Sequence, residues 1–559
     1  MLLDEWEIWH TYSTFFVDSV PTVDIAAQNM VRFGLVECAV TKDGNFYYRS
    51  GYGVESGRAH VKLSADQMHA AITIEPQVEG FVLDAVFQAS YLRFSEMRHF
   101  GQQEDVLPPY VRGFVGECQL VSQEREVLVY PIIKLHATGT VMVEMRVLSP
   151  AHQIGLDEFI ESHVNVYKCR FDEVWGPPGL ALLAQRAYLY REDRWPVYSR
   201  LELLLLHRRY AAYVGTHTET PETGDFEFEL TPLWVRSVDP GNDGREARSA
   251  HQVQQAEEGL SFSDLAHTVI EATGVAVSGL REGIHLLLRG PKTSLERGDY
   301  WTARPHVHLM RHRGQMETSE ENEKEFGESY SWIMARLARR DHQSAKRYLP
   351  SDSRPFEDFA AYVALQGSLW VWSALGLRQS EPWELPRGSH LVYENQPKVE
   401  LLEHGYILHR RLAASVTKIG SPDAALRAQQ DLIELKLKMT QSSVYGETRD
   451  LLVRSWEEMG VPQLQELVAD ALTVRHAQET AAEQRITVRW EMVLAIAFGI
   501  LAVPSVATEV IHPMWEWLQI RKPSDPNAAK LFFVGVALIL VMAGLAFSYT
   551  LLVRKRVRR

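Results

Sequence analysis

Ala495, Gly499 and Ala502 recur at i, i+4 and i+7, and Glu509 is the acidic residue late in the same segment. Small side chains on one helix face let membrane helices approach closely, so this face suits either helix packing or a narrow pore lining. A ring of carboxylates draws cations to a pore mouth, and Glu509 could supply one; an interfacial residue in contact with water is the plainer reading. Other chemistry is sparse. His306 and His308 alternate as on one strand face, with His312 nearby. Alternate imidazoles can bind a metal, but no Cys or carboxylate completes the set locally, so a solvated or hydrogen-bonded histidine cluster is expected. Arg289-Gly290-Pro291-Lys292-Thr293-Ser294 is a phosphate loop in outline only. The required earlier glycine is missing, and Pro291 displaces the lysine and removes an amide donor. His-Glu-x-x-His, Gly-x-Ser-x-Gly and calcium-loop patterns are absent. No catalytic or cofactor-binding residue is therefore assigned, and the chain is expected not to be an enzyme. A divalent cation enters only as substrate or regulator, with its ligands unknown.

The elements that must position these residues are two apolar segments, 492–508 and 531–553, followed by Arg554-Lys555-Arg556-Val557-Arg558-Arg559. A bilayer core of about 30 Å needs about 20 apolar residues in a helix. The second segment has no ionisable residue between Lys530 and Arg554. Two transmembrane helices are thus expected at 490–511 and 531–553, joined by an outer loop at 512–530. Arg485 and Arg489 precede the first and the basic tail follows the second. Lys and Arg collect on cytoplasmic flanks, which places both termini inside, as a multi-pass protein of the cell inner (plasma) membrane. Pro504, His512 and Pro513 predict a kink or end of the first helix near the outer face. Trp515 and Trp517 suit the headgroup level.

The rest of the chain is acidic. Of its 559 residues, those before 485 carry 48 Lys/Arg and 68 Asp/Glu, a net of −20. Phosphate binding needs a positive footprint, so no nucleic-acid partner is expected; the partners are the lipid bilayer and further copies of the chain. Cys38, Cys118 and Cys169 are few, odd in number and far apart, which predicts a reducing compartment. The first residues lack a basic region and an apolar run, so no signal peptide is read there.

The fold class expected is an α+β cytoplasmic region followed by long α-helices and two C-terminal transmembrane helices. Residues 1–150 read as a strand-rich α/β domain, with strands at 36–40, 46–49, 71–74, 81–87, 111–117, 127–135 and 140–148. The last two form the clearest hairpin, turning at Gly139. Residues 151–420 read as a mixed, helix-rich domain with long loops. A helical stretch is expected over 157–214, with an apolar heart at 201–206, and a long exposed loop with one strand pair at most over 216–260. The glutamate run 317–327 reads as a solvated loop, and proline-rich 378–397 as a surface connector. From Ser421-Pro422-Asp423 the pattern is helical. Pro462 fits the first turn of a new helix that could run into the membrane, so 421–489 reads as long helices and a stalk, and 554–559 as a basic cytoplasmic tail.

This architecture over residues 423–559 resembles the CorA-type metal ion transporters. The resemblance implies five subunits around a pore lined by the first membrane helix, with a cytoplasmic domain that moves the stalk. The family's Gly-Met-Asn signature is absent; its place holds Val503-Pro504-Ser505-Val506-Ala507-Thr508-Glu509, then His512-Pro513-Met514-Trp515. No ion-selecting residue is carried over. The alternative expectation is a membrane-anchored sensor or effector, as in bacterial defence, without ion transport.

Overall fold

A computed structural model describes residues 1–50, 53–63, 70–101, 107–123, 125–166, 169–181, 183–184, 231–235, 260–279, 295, 302–337, 349–353, 357–379, 389–416, 421–440, 446–518 and 526–557. The chain divides into two compact units, Met1–Thr417 with Gln430–Ala469, and Lys418–Gln429 with Asp470–Arg559.

The larger unit is built on a sheet of 15 strands among the described residues. The order along its main path is Phe359–Ala364, Gly367–Trp372, Thr302–His312, Leu2–Phe15, Thr140–Leu148, Glu126–His136, Tyr110–Phe114, Cys38–Thr41, Asn45–Ser50, Gly53–Leu63 and Ala70–Glu75, with Cys118–Val121, Ile154–Gly155, Glu173–Gly176 and Thr231–Val235 branching from it. The pairs along it are antiparallel except Thr302–His312 with Gly367–Trp372. The strand Leu2–Phe15 lies near the centre. It sends Trp6, Ile8 and Tyr12 into one apolar cluster and Trp9 into another, as a period of two requires. The hairpin at 126–148 forms as expected, and Gly139 turns it at φ 90°. A Cβ there would stand 3.0 Å from the Phe16 carbonyl.

Helices cover both faces of the sheet. Val23–Arg32, Phe262–Ser278 and Ser319–Leu337 bury apolar residues in the first cluster. Gly80–Phe100 and Ser389–Val416 contribute Ala85, Ala89, Leu92, Val392 and Val399 to the second. The Phe262–Ser278 helix opens with a capping box, Ser261 and Asp264 bonding each other's backbone amides.

Several elements differ from the sequence-based expectation. Residues 81–87 form no strand but the start of Gly80–Phe100. Their β-branched and aromatic content yields to a buried face at Ala85, Ala89 and Leu92, which is helical spacing. The run 317–327 is helical from Ser319. Thr318 and Glu321 cap it reciprocally at 3.2 and 3.3 Å, and Glu320 and Glu321 sit in the first turn, where the helix dipole favours negative charge. The expected connector is helical from Ser389, with Pro397 inside the helix. Within the expected helical stretch, Arg170–Phe171 and Glu173–Gly176 are strands; Thr231–Val235, in the segment read as a loop with at most one strand pair, pairs with the second of them. The remainder of 216–260 before Leu260, the apolar run 201–206 and the segment 289–294 lie outside the described residues.

The smaller unit is helical. It takes in the start of Pro422–Thr440 and most of Val461–Ser505, which is a single helix of 45 residues. One π-helical turn, Val506–Ile511, follows Pro504, then His512–Trp517 and, after residues outside the description, Pro526–Val557. Proline has no N–H to give the preceding turn, and the Thr508 hydroxyl donates to the Pro504 carbonyl at 3.0 Å. Val503, Ala507 and Ile511 pack on Phe533 and Ala537. His512 meets Phe533 edge-on at 5.1 Å, and Trp515 meets Phe532 at the same separation. Both hairpin helices are long and apolar enough to cross a membrane, with mean hydropathy 2.0 and 1.9 over 18 residues.

Candidate functional site

Ionisable side chains seldom enter a core unless paired. In the larger unit several enter together, on the sheet face covered by Gly80–Phe100 and Ser389–Val416. Arg112, Lys134, Glu144 and Arg304 come from four different strands and are 4% exposed or less. Register sets Arg112 opposite Lys134, and sets Thr11 between Glu144 and Arg304. The Ser389–Val416 helix presents Gln396, Glu400 and Glu403 at i, i+4 and i+7, which is one helical face.

The two surfaces are joined by charge-assisted bonds. Arg112 grips Glu400 with both terminal nitrogens, at 2.7 and 2.8 Å. Lys134 donates to Glu400 and, at 2.9 Å, to Glu96 of the Gly80–Phe100 helix. The Tyr110 hydroxyl donates to Glu96 at 2.7 Å. Gln396 donates to Glu144 at 2.9 Å, while Arg112 stands 3.4 Å from the other Glu144 oxygen. Arg304 binds Glu403 at 2.6 Å and lies over the Tyr406 ring at 4.2 Å.

The electrostatics follow from this geometry. Burial would raise the Glu400 carboxyl, but Arg112 and Lys134 outweigh it and hold the group well below the usual carboxylate range. Glu403 is held down in the same way, beside Arg304. Burial pushes Glu144 the other way, to about 8, reinforced by the charge of Glu400. A group raised in the folded state adds stability that is complete below its ordinary value of 4.5 and is lost as pH climbs through about 8. Glu144→Gln should therefore flatten the fall in stability between pH 5 and pH 8, by about 1–4 kcal/mol. Urea midpoints at the two pH values read this, and equal slopes in both proteins would mean that Glu144 is already ionised.

His306 and His308 share this face as expected, but they are buried rather than solvated. His306 Nδ1 lies 2.7 Å from the Ser368 hydroxyl, while its Nε2 is 3.6 Å from Glu403, beyond a hydrogen bond. Burial lowers both imidazoles, His308 to about 3. His312 joins the opposite cluster, its Nε2 3.2 Å from the Tyr330 hydroxyl; irregular pairing around Glu5 shifts the face on which the strand end lies. No group of three metal-ligating side chains occurs among the described residues. A cavity beside Arg112, lined also by Thr41, Gly44, Ser90, Arg93 and Tyr110, offers about 10 Å³ of space for water centres, room for roughly one molecule. The arrangement can thus fasten a helix to a sheet.

The membrane candidates stand elsewhere. Ala495, Ala502 and Glu509 are exposed and Gly499 half-buried. The contact between the two hairpin helices is made instead by Val503, Ala507 and Ile511 with Phe533 and Ala537. Sequence reasoning missed the ionic network altogether. Its one readable trace is the spacing of Gln396, Glu400 and Glu403, which an ordinary solvated helix face also produces.

Fold and site define the class: a layered α/β unit, locked internally by buried ion pairs, in a chain that ends in two helices apolar enough to span a membrane. No protein-family model, no curated protein and no solved structure matches the chain.

Proposed function

We propose that the chain is an integral membrane protein, a tethered sensor whose cytoplasmic α/β unit acts on a two-helix membrane hairpin through one continuous helix. The observation that carries this reading is Val461–Ser505. It begins among core residues, with Val461 and Val468 1% and 2% exposed, and continues without a break into the apolar segment. Exposure supports the bilayer: only 17% and 11% of the two apolar windows is buried within the chain, and apolar surface on that scale needs lipid or protein cover. Basic residues on both flanks favour cytoplasmic termini in the inner membrane. Alkaline extraction of membranes tests the anchoring, and release of the chain into the soluble fraction would overturn it.

Cation passage of the CorA type is the second reading, favoured by Glu509, which stands exposed in the π-helical turn. On that reading Glu509→Gln lowers divalent-cation entry into proteoliposomes several-fold and changes selectivity. Unchanged flux and selectivity would remove the acidic ring, and no entry above empty vesicles would leave the sensor without a pore.

A further inference from the structure

The two ends of the large sheet are finished differently. At one end Phe359–Ala364 is buried throughout, and its outward backbone is occupied. The Ser353 amide donates to the Ala361 carbonyl and the Ala361 amide to Asp352 Oδ1, both at 2.8 Å. At the other end, Ala70–Glu75 pairs only with Gly53–Leu63 among the described residues. Its second edge therefore offers a row of backbone N–H and C=O groups to which no described strand pairs, a template for further pairing. Pro76 follows at once and, lacking an N–H, ends the strand.

Register sorts this ribbon into two faces. Arg58 stands opposite Glu75, His60 opposite Thr73 and Lys62 opposite Ala71, and all six are exposed. Ala59 and Ile74 point the other way, into the second apolar cluster with Ala85 and Val86 of the Gly80–Phe100 helix. Ile72 shares their face by alternation. The edge thus carries a charged row on its open face and an isoleucine pair on the helix-covered one.

This edge is complementary to itself. In an antiparallel pairing centred on Thr73, Thr73 meets its twin, Ala71 meets Glu75 of the second copy, and Ile72 meets Ile74 of the second copy. The rows across the joined strands then read Lys62, Ala71, and Glu75 and Arg58 of the second copy, with the twofold repeating them in reverse. Each Glu75 carboxylate lies between its own Arg58 and Lys62 of the other copy, which reaches over the small Ala71 side chain. Two strand spacings are about 9.6 Å, within the combined reach of a lysine and a glutamate. The central row pairs two threonines, and opposite charges and threonine pairs both stabilise neighbouring strands. Other centres lose this match. Centring on Ile72 runs Glu75 past the end of the opposing strand, and centring on Ile74 sets Pro76 opposite Ile72.

We propose that the Ala70–Glu75 edges of two copies join antiparallel about a twofold axis at Thr73, making one continuous sheet from two. The same patch serves both copies, as a twofold contact requires. It involves the larger unit alone and is independent of the membrane hairpin. The test uses the full chain in freshly lysed cells, with Thr73→Cys against His60→Cys and the parent protein as blank for Cys38, Cys118 and Cys169. Twin Thr73 positions stand about 4.5–5.5 Å apart between Cα atoms, within disulfide range. Twin His60 positions stand three strand spacings apart, about 14 Å. Mild oxidation should give roughly tenfold more disulfide-linked homodimer for Thr73→Cys than for His60→Cys, since only the first pair meets that range. Adding Lys62→Glu, which sets two carboxylates together, should cut the yield several-fold, whereas adding Lys62→Arg should preserve it. Equal yields from the two cysteines, a link to a different polypeptide, or a yield indifferent to Lys62→Glu would overturn the proposal.

Discussion

Glu400→Ala should destabilise the larger unit by about 3–5 kcal/mol, because it removes the anion shared by two buried cations. It leaves Lys134 with Glu96 at 2.9 Å and Arg112 with Glu144 at 3.4 Å. Arg112 and Lys134 are 1% and 0% exposed, and Glu400 is the shared partner of both. The loss measures charges left short of an anion, not the worth of the pair. Replacing Arg112, Lys134 and Glu400 together with apolar residues of similar volume should therefore restore much of the stability. Urea unfolding followed by tryptophan fluorescence compares the parent, the single variant and the triple variant. A single-variant loss below about 1 kcal/mol would mean that the network is dispensable. A triple variant as weak as the single one would mean that the charges are net stabilising here.

Ala537→Arg should abolish the hairpin. Ala537 is 0% exposed and packs with Phe533 against Val503, Ala507 and Ile511. A guanidinium at the middle of a membrane helix costs about 2.5–3.5 kcal/mol on insertion scales, and overpacking a tight contact adds about 1–3 kcal/mol. The variant should accumulate at a several-fold lower level through degradation, whereas Leu540→Ala, at an exposed position, should accumulate like the parent. Parental levels of Ala537→Arg would show that the packed face does not hold the hairpin together.

Period and turn chemistry made the hairpin at 126–148 legible, because alternation and a glycine turn are both local signals. The long helix from Pro462 was legible for the same reason. Gly80–Phe100 was not, since Phe81, Val82 and Phe87 favour strands and only the tertiary surface under Ala85, Ala89 and Leu92 makes them helical. Glu317–Gly327 carried a capping pair, Thr318 and Glu321, that its charge concealed. The ionic network could not be read, because Arg112, Lys134, Glu144 and Arg304 meet only through strand register and are scattered over nearly 200 positions of sequence. Small-residue spacing at Ala495, Gly499 and Ala502 was visible, yet the helix contact within the chain uses Val503, Ala507 and Ile511 instead.

The placement of Leu2–Phe15 bears on the order of assembly during synthesis. One of its neighbours, Thr140–Leu148, emerges from the ribosome fairly early; the other, Thr302–His312, emerges much later. About 160 residues separate the two neighbours, so at about 5–20 residues per second the nascent chain carries a half-paired central strand for roughly 8–30 s. Its open edge includes Trp6, Ile8 and Trp9, an attractive target for a holding chaperone until translation passes residue 312.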